Sequence, residues 1–500
     1  MITPRTWALS VLAGLATASS AAAVTPEEVW QHWQTAGSAQ GYAVTAAGQV
    51  RTGDTLELTG VTLTVQDDDT SVQAPIGTVT MRDRGDGSVE IIMPDSYTMT
   101  LTVTEDDSTV EMALSVGQPG LTTTASGTAD ALRYELAAPE LSVTLDSLVV
   151  DGDDVVIGFA VEFEGVAATY GTSGATQQQF DVTMTADAMG IALEGESTED
   201  DFTMSFNLGS EDLAVSSSGT LVPGLGSGED LDDLLRAGFA VDGRYGTGAT
   251  EFSLAMVDGE WSSNTAGSLA SSAVAFAINP QQTRYEVDTR GFDITVSGTD
   301  IPFPEVNVAL DEFVTGFAFP LTRSDAPVDF SLVTRVVGLV VSDDVWAMFD
   351  PIGALPRDPA TVIADVTGKM RLLRDVTDPD FGETDEMPAE LHALDITEVK
   401  LSAVGAEVTG TGAFTFDNSD LTTFEGMPRP AGALDLRIVG ANTLIDKLVA
   451  MGMLPEDQAM AGRMMLGLFA KKEAGGEDTM TSRIEVTPDG AVLANGQRIQ

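Results

Sequence analysis

The stretch Tyr97-Thr98-Met99-Thr100-Leu101-Thr102-Val103 alternates a large apolar residue with a threonine over seven positions. A period of two sets Tyr97, Met99, Leu101 and Val103 on one side of an extended chain and the threonines on the other, where β-branching suits a pleated surface. Such a strand is apolar on one face only, the pattern of an antiparallel sheet wetted on one side rather than a parallel sheet buried on both. The pattern recurs in both directions along the chain. Leu56 and Leu58, then Val61, Leu63 and Val65, alternate with Thr and Glu, and the change of phase at Gly60 predicts a bulge or strand break. Leu141, Val143 and Leu145, and later Phe202, Met204, Phe206 and Leu208, repeat it. Turn chemistry agrees: Arg84-Gly85-Asp86-Gly87 separates Val79 and Met81 from Val89, Ile91 and Ile92, Pro488-Asp489-Gly490 separates Ile484 and Val486 from Val492, and Asn495-Gly496 follows. The fold expected is mainly β, with α+β as the variant: large twisted antiparallel meanders and a few short covering helices.

The helices announce themselves by capping. Thr25 before Pro26, Glu27 and Glu28 opens a helix carrying Val29, Trp30 and Trp33, whose tryptophans are expected to pack on a sheet. Glu229 to Ala237 reads as a helix stopped by Gly238 and preceded by a linker, Pro223 to Gly228; Ser342 is read as the cap of a short turn that Pro351 ends. Asn442 begins a helix closed by Gly452, and Pro455 opens another with Met460, Met464, Met465, Leu468 and Phe469, with Lys471 and Lys472 facing its negative end. The segments around Leu234 and Leu448 share Asp-x-Leu-apolar-x-x-Gly-apolar. Two readings stay open: a common helix-capping rule, or a duplicated unit of strands followed by a helix.

The chain has 500 residues, 77 acidic and 24 basic, a formal charge of -53, 50 glycines, two histidines and no cysteine. That length predicts about two domains or one large repetitive β-structure. Residues 1–23 read as a signal peptide, with Arg5, the apolar run Trp7 to Ala18 and Ala21-Ala22-Ala23 as cleavage site; 24–240 and 241–500 follow as two β-rich regions, the second holding the helical pair 442–472 and the closing hairpin. The expected location is the periplasm, with secretion as second choice. No later run of about 18 apolar residues predicts a transmembrane helix, and low aromatic content argues against an outer-membrane barrel. The acidic excess disfavours nucleic acid and anionic surfaces as partners.

Chemistry has few candidates. Without cysteine, a triad would need His32 or His392, and neither adjoins a nucleophile elbow. Gly224 to Gly228 lacks the P-loop ending. The acidic groups at Asp67 to Asp69, at Asp151, Asp153 and Asp154, and at Asp378 and Asp380 lack EF-hand spacing and read as turn acids. No catalytic, metal or cofactor-binding residue is assigned. Arg357, between Pro356 and Pro359, is the one ligand-binding candidate, for an anionic head group; the alternative is a structural corner made with an aspartate.

Three stretches carry a resemblance: Ser342 to Pro351 running on to Leu355-Pro356-Arg357-Asp358-Pro359-Ala360-Thr361; Gly412 to Asn418; and the helical pair with the closing Asn495-Gly496-Gln497-Arg498. These resemble the domain of unknown function 2125 family of uncharacterised exported bacterial proteins, over nearly the whole mature chain. The resemblance implies no activity, cofactor or site residue. A looser likeness in style links the chain to periplasmic proteins that handle lipids. One-sided strands must have their apolar faces covered by a second sheet, by helices or by a ligand such as an acyl chain. The expectation is a non-enzymatic periplasmic protein binding a lipid or other hydrophobic ligand in envelope homeostasis. The alternatives are an interaction or scaffold protein, partnered by an envelope protein and closed on itself, and a hydrolase using acidic residues.

Overall fold

The computed structural model describes residues 23–39, 41–67, 69–105, 108–174, 178–197, 201–222, 231–378, 381 and 388–500. The expected signal peptide up to residue 22, the linker 223–228, Asp68 and Asp380 lie outside the described residues.

Every strand pairing is antiparallel, and all strands belong to one sheet. β1 (Tyr42–Thr45) and β2 (Gly48–Thr52) lie end to end along β3 (Thr55–Gln66), which pairs with β4 (Thr70–Asp83). β4 carries β5 (Ser88–Ile92) on its second half and β6 (Ser96–Glu105) on its first. β7 (Ser108–Gly117) pairs with β6, β8 (Thr122–Thr128) with β5, and both rejoin on β9 (Ala131–Val150). β10 (Asp153–Val155) and β11 (Ile157–Ser173) share the other edge of β9; β12 (Gln178–Ser197) and β13 (Phe202–Leu221) follow. The split then recurs. β13 carries β14 (Ala240–Thr247) on its second half and β15 (Thr250–Asp258) on its first, β16 (Trp261–Leu269) and β17 (Ser271–Ile278) pair with these, and both rejoin on β18 (Gln282–Gly298). A plain meander completes the sheet through β19 (Val306–Pro320), β20 (Val328–Val341), β21 (Ala360–Leu372), β22 (Ala389–Ala403), β23 (Ala406–Asp417) and β24 (Arg429–Val439). β25 (Lys471–Lys472), β26 (Thr479–Val486), β27 (Val492–Ala494) and β28 (Gln497–Arg498) close the chain. Among the described residues no pairing joins the first strands to the last, so the sheet is open.

The turns read from sequence stand where expected. Arg84 to Gly87 joins β4 to β5, with Asp83 opposite Val89; Pro488-Asp489-Gly490 joins β26 to β27, and Asn495-Gly496 joins β27 to β28. Gly60 has a φ of 61° at a register shift in the β3–β4 pair.

α1 (Pro26–Ala39) opens with a capping box: the Glu28 amide donates to Thr25 Oγ1 at 3.3 Å and the Thr25 amide to Glu28 Oε2 at 2.8 Å. Val29 and Trp30 bury against Leu56, Leu58, Val79, Met81, Val89 and Ile91, forming the larger of the two cores. Full burial of such side chains stabilises by about 1.5–3 kcal/mol each. α2 (Leu231–Arg236) and α4 (Ala441–Ala450) end alike. Phe239 donates to Leu234 O and Gly238 to Leu235 O; Met453 donates to Leu448 O and Gly452 to Val449 O. Both are Schellman caps with a left-handed glycine, so the shared sequence pattern follows the common capping rule. α3 (Asp343–Phe349) departs from expectation: the Ser342 side chain makes no capping bond, and its hydroxyl is buried without a partner. α5 (Glu456–Phe469) has no basic residue in its last turn, because Lys471 and Lys472 have already turned away into β25.

A crease crosses the sheet at right angles to the strands. Gly165 in β11 lies between the registered pairs Glu164–Glu140 and Val166–Ala138, and therefore opposite Pro139 of β9. The same counting puts Asp187 opposite Gly165, Asp212 opposite Asp187, Asp311 opposite Gly291 and Gly338 opposite Asp311. Gly165, Asp212, Gly291 and Gly338 all have left-handed φ, between 52° and 73°. Between the two runs the line passes through the joints of the split strands, at Gly248 between β14 and β15 and at Ala270 between β16 and β17; their amides donate to Glu211 O and Arg290 O. At Gly165 and Gly338 the glycine is also steric, since a Cβ would fall 2.1 and 2.2 Å from the carboxylates of Asp187 and Asp311. Ala138, Val166, Ala186 and Leu213, which adjoin the line, are each 3% exposed, and residues from both sides of it, such as Leu136 with Leu141 and Met184 with Met189, pack on them. The sheet is therefore folded toward its apolar face.

Candidate functional site: an apolar trough

Directly paired antiparallel residues share a face, so the register fixes what the concave side presents. One row runs Phe276, Tyr285, Phe317, Leu332, Val366, Ile396 across β17 to β22. Each of these residues is apolar or aromatic. The neighbouring row holds Phe319 and Phe330, whose rings stack at 5.9 Å with 9° between planes. The convex side carries the charges. There Glu312 accepts from Arg290 at 2.7 Å and from Arg335 at 2.9 Å, and Arg335 reaches Glu398 at 3.1 Å, tying β18, β19, β20 and β22 together. The acidic composition thus belongs to a solvated outer surface, where ion pairs are individually worth about 0–1 kcal/mol.

Two of the aromatic rings lie flat. A Cβ on Gly243 would come within 2.3 Å of Phe276 Cζ, and one on Gly368 within 2.5 Å of Phe330 Cε1. Each phenylalanine is registered directly opposite its glycine, so the ring covers the backbone instead of standing up from it. The trough floor gains space where a side chain would otherwise project.

The concave face is covered at its ends and open between them. At the N-terminal end α1 fills it, and His32 hydrogen-bonds Tyr134 Oη at 3.1 Å and Thr172 Oγ1 at 3.4 Å. Burial lowers the His32 pKa and raises those of Tyr134 and Tyr170, whose rings stack at 6.3 Å. At the C-terminal end α5 lies over Leu436, Ile438 and Ile484, around a cavity of about 440 Å³. Between them, Phe276, Tyr285, Phe317 and Leu332 are 41, 40, 37 and 48% exposed, high values for large apolar side chains on a concave face.

An apolar recess lies at one rim of this open section. A cavity of about 510 Å³ is walled by Phe319, Phe330, Met370, Leu391 and Phe416 from the sheet and roofed by Phe424 and Met427 from the β23–β24 connection. That volume lies within the about 300–1,000 Å³ usual for ligand pockets. The roof is held by charge. Arg429 donates to Asp417 at 2.7 Å and to Asp420 at 3.0 Å, while Asp420 accepts from the hydroxyl and amide of Thr423 and the amide of Thr422. Those bonds, the Thr423 hydroxyl foremost, pull the Asp420 pKa down to about 2. Sequence reading did not single out Phe424 or Met427. The available signal was Phe317-Ala318-Phe319, an aromatic alternation matched by Phe330 across the next turn.

The sequence candidates fall elsewhere. Arg357 pairs with Asp343 at the start of α3, beside the buried Asp350, whose carboxylate accepts the amides of Ala354 at 2.9 Å and Leu355 at 2.7 Å. Burial pushes the Asp350 carboxyl up, and those amides with the Arg357 charge outweigh it, so its pKa is lowered. Arg357 lines neither apolar cavity. His392 sits in β22 with Nε2 3.3 Å from Glu390. Asp151 is a turn residue with a φ of 56° that accepts the Thr109 amide at 2.8 Å. No helix among the described residues is long and apolar enough to cross a membrane.

Fold and site together define an open, creased antiparallel sheet with an apolar trough on its concave side. Residues 252–496 match the family described as "Uncharacterized protein conserved in bacteria (DUF2125)". The match begins inside β15 and is narrower than the nearly whole chain expected from the resemblance. No curated protein and no solved structure matches the chain.

Proposed function

We propose that this chain is a non-enzymatic periplasmic protein that carries acyl-chain lipid in its trough and serves the cell envelope. The observation that supports this most is the exposed concave row Phe276, Tyr285, Phe317 and Leu332, which no helix or second sheet among the described residues covers. An uncovered apolar face of this kind is stable when something apolar lies on it. The open section spans nine strand positions, from β12 to β22 with the split strands counted once, or about 38 Å over eight spacings of about 4.8 Å. A chain reaching half-way through a bilayer core of about 30 Å would fill roughly two-fifths of that length, so more than one lipid is accommodated. Along the row from Phe276 to Ile396 there is no carboxylate, imidazole or cationic side chain, and Tyr285 contributes a phenol, in keeping with binding rather than catalysis.

A photoreactive amino acid placed at Leu332, on the concave face, should yield lipid adducts in cells, whereas the same group at Asp329, on the convex face, should not. Equal labelling at the two positions, or none at Leu332, would contradict the proposal.

A further inference from the structure

α5 is apolar on two opposite sides. Ala459, Gly462, Leu466 and Phe469 face the sheet, while Met460, Met464 and Leu468, one helical turn apart, face away and are 70, 70 and 54% exposed. Between Met460 and Phe469 the only charged residue is Arg463. A helix apolar all round ordinarily lies buried, in a protein core or in lipid. Here the sheet accounts for one side only.

The surrounding charge permits a bilayer as occupant. In a chain of formal charge -53, α4, α5 and the residues just after them carry Lys447, Arg463, Lys471 and Lys472 against Asp446, Glu456, Asp457 and Glu473, so this end is close to neutral. The mobile methionine side chains suit a fluid, variable surface. α5 also forms the covered C-terminal end of the trough, so its outer side is continuous with the route by which an acyl chain would enter or leave. The screening length is about 8 Å at physiological salt, so acids on the far strands of the sheet do not prevent contact at this end.

We propose that the outer face of α5 docks on a lipid bilayer, inserting Met460, Met464 and Leu468 among the head groups while Lys471 and Lys472 lie against phosphates. Exposed Met348, Phe349 and Ile352 of α3 and the residues after it stand at the same ends of the strands and broaden the contact: Pro356 packs on Gly405 of the β22–β23 turn, and Gly405 abuts Gly440, where α4 begins. This inference rests on the trough as a lipid carrier for its purpose, but its test is separate. The full mature chain is mixed with liposomes of phosphatidylethanolamine and phosphatidylglycerol and binding is read by flotation, with a fluorescent fatty acid titrated in parallel. The triple variant Met460→Gln, Met464→Gln, Leu468→Gln should bind liposomes about tenfold or more weakly while its fatty-acid titration and melting temperature stay those of the parent. Parent-like liposome binding by the variant, or no binding by the parent, overturns the proposal. A parent that forms dimers abolished by the triple substitution and ignores liposomes also overturns it, assigning the face to a second copy. Liposome binding lost in the variant, in a parent that takes up no fatty acid, supports the docking face and refutes the trough.

Discussion

Replacing Phe424 and Met427 together by serine removes the roof of the 510 Å³ cavity without touching the sheet that walls it. Phe424 is half-buried and Met427 is 62% exposed, so each would finish its burial on a bound chain rather than in the protein core. Complete burial of such a side chain is worth about 1.5–3 kcal/mol. Taking roughly half of that for each, the pair contributes about 2 kcal/mol to ligand binding, equivalent to a roughly 30-fold rise in Kd. The Arg429 clamp on Asp417 and Asp420 is left intact, so the connection should keep its course and the melting temperature should change little. The assay is a fluorescence titration with a fatty acid whose emission rises in apolar surroundings. A variant whose Kd stays within about twofold of the parent would refute the reasoning, because a roof that makes no contribution does not roof a binding site.

Three further outcomes follow from the same geometry. Gly338→Ala should destabilise the chain by about 1–2 kcal/mol from its left-handed φ alone, with a further loss from the Asp311 carboxylate; Asp311→Ala in the same chain should restore part of the melting temperature, and full additivity of the two would count against the crease contact. His32 has a lowered pKa in the folded state, so the stability it confers is complete above about 6.5 and falls as pH drops from there through its folded value; His32→Gln should flatten the decline in melting temperature between neutral and mildly acid pH, and an unchanged slope would contradict the buried neutral ring. Asp420, held at about 2, supports the roof at every pH above its unfolded value near 3.8 and loses that support as pH falls toward 2; limited proteolysis at pH 7 should cut Asp420→Asn in the 418–428 segment faster than the parent, and equal rates would show that the carboxylate is dispensable there.

The strands and turns were legible because their signals are local. Alternation at Tyr97 to Val103 and at Phe202 to Leu208, glycine at Gly60, Gly87 and Gly490, and the Thr25–Glu28 capping box each act within a few residues. The crease was not, because Pro139, Asp187, Asp212, Gly291 and Gly338 look like unrelated turn residues until long-range pairing brings them into line. The trough was half legible. One-sided strands announced an apolar face and posed the question of its cover, but whether another sheet closes on it depends on where the strand order leads, which no local pattern records. Ser342 shows the opposite failure. Its position before Asp343 and Asp344 fits a helix cap by sequence, yet its side chain makes no capping bond and its hydroxyl is buried without a partner. Phe424 and Met427 lay in a stretch of Asp, Ser and Thr that reads as plain loop, and the Arg429 clamp with the Thr422 and Thr423 bonds to Asp420 holds it over the sheet.

The central claim is that the concave face carries lipid. The most direct measurement is native mass spectrometry of the mature protein purified from its own cells without detergent, followed by lipid extraction and identification. The account predicts adducts of acyl-chain mass, more than one per chain in part of the population, that disappear after extraction. A chain of bare protein mass, with no extractable lipid and no uptake of added fatty acid, would contradict it.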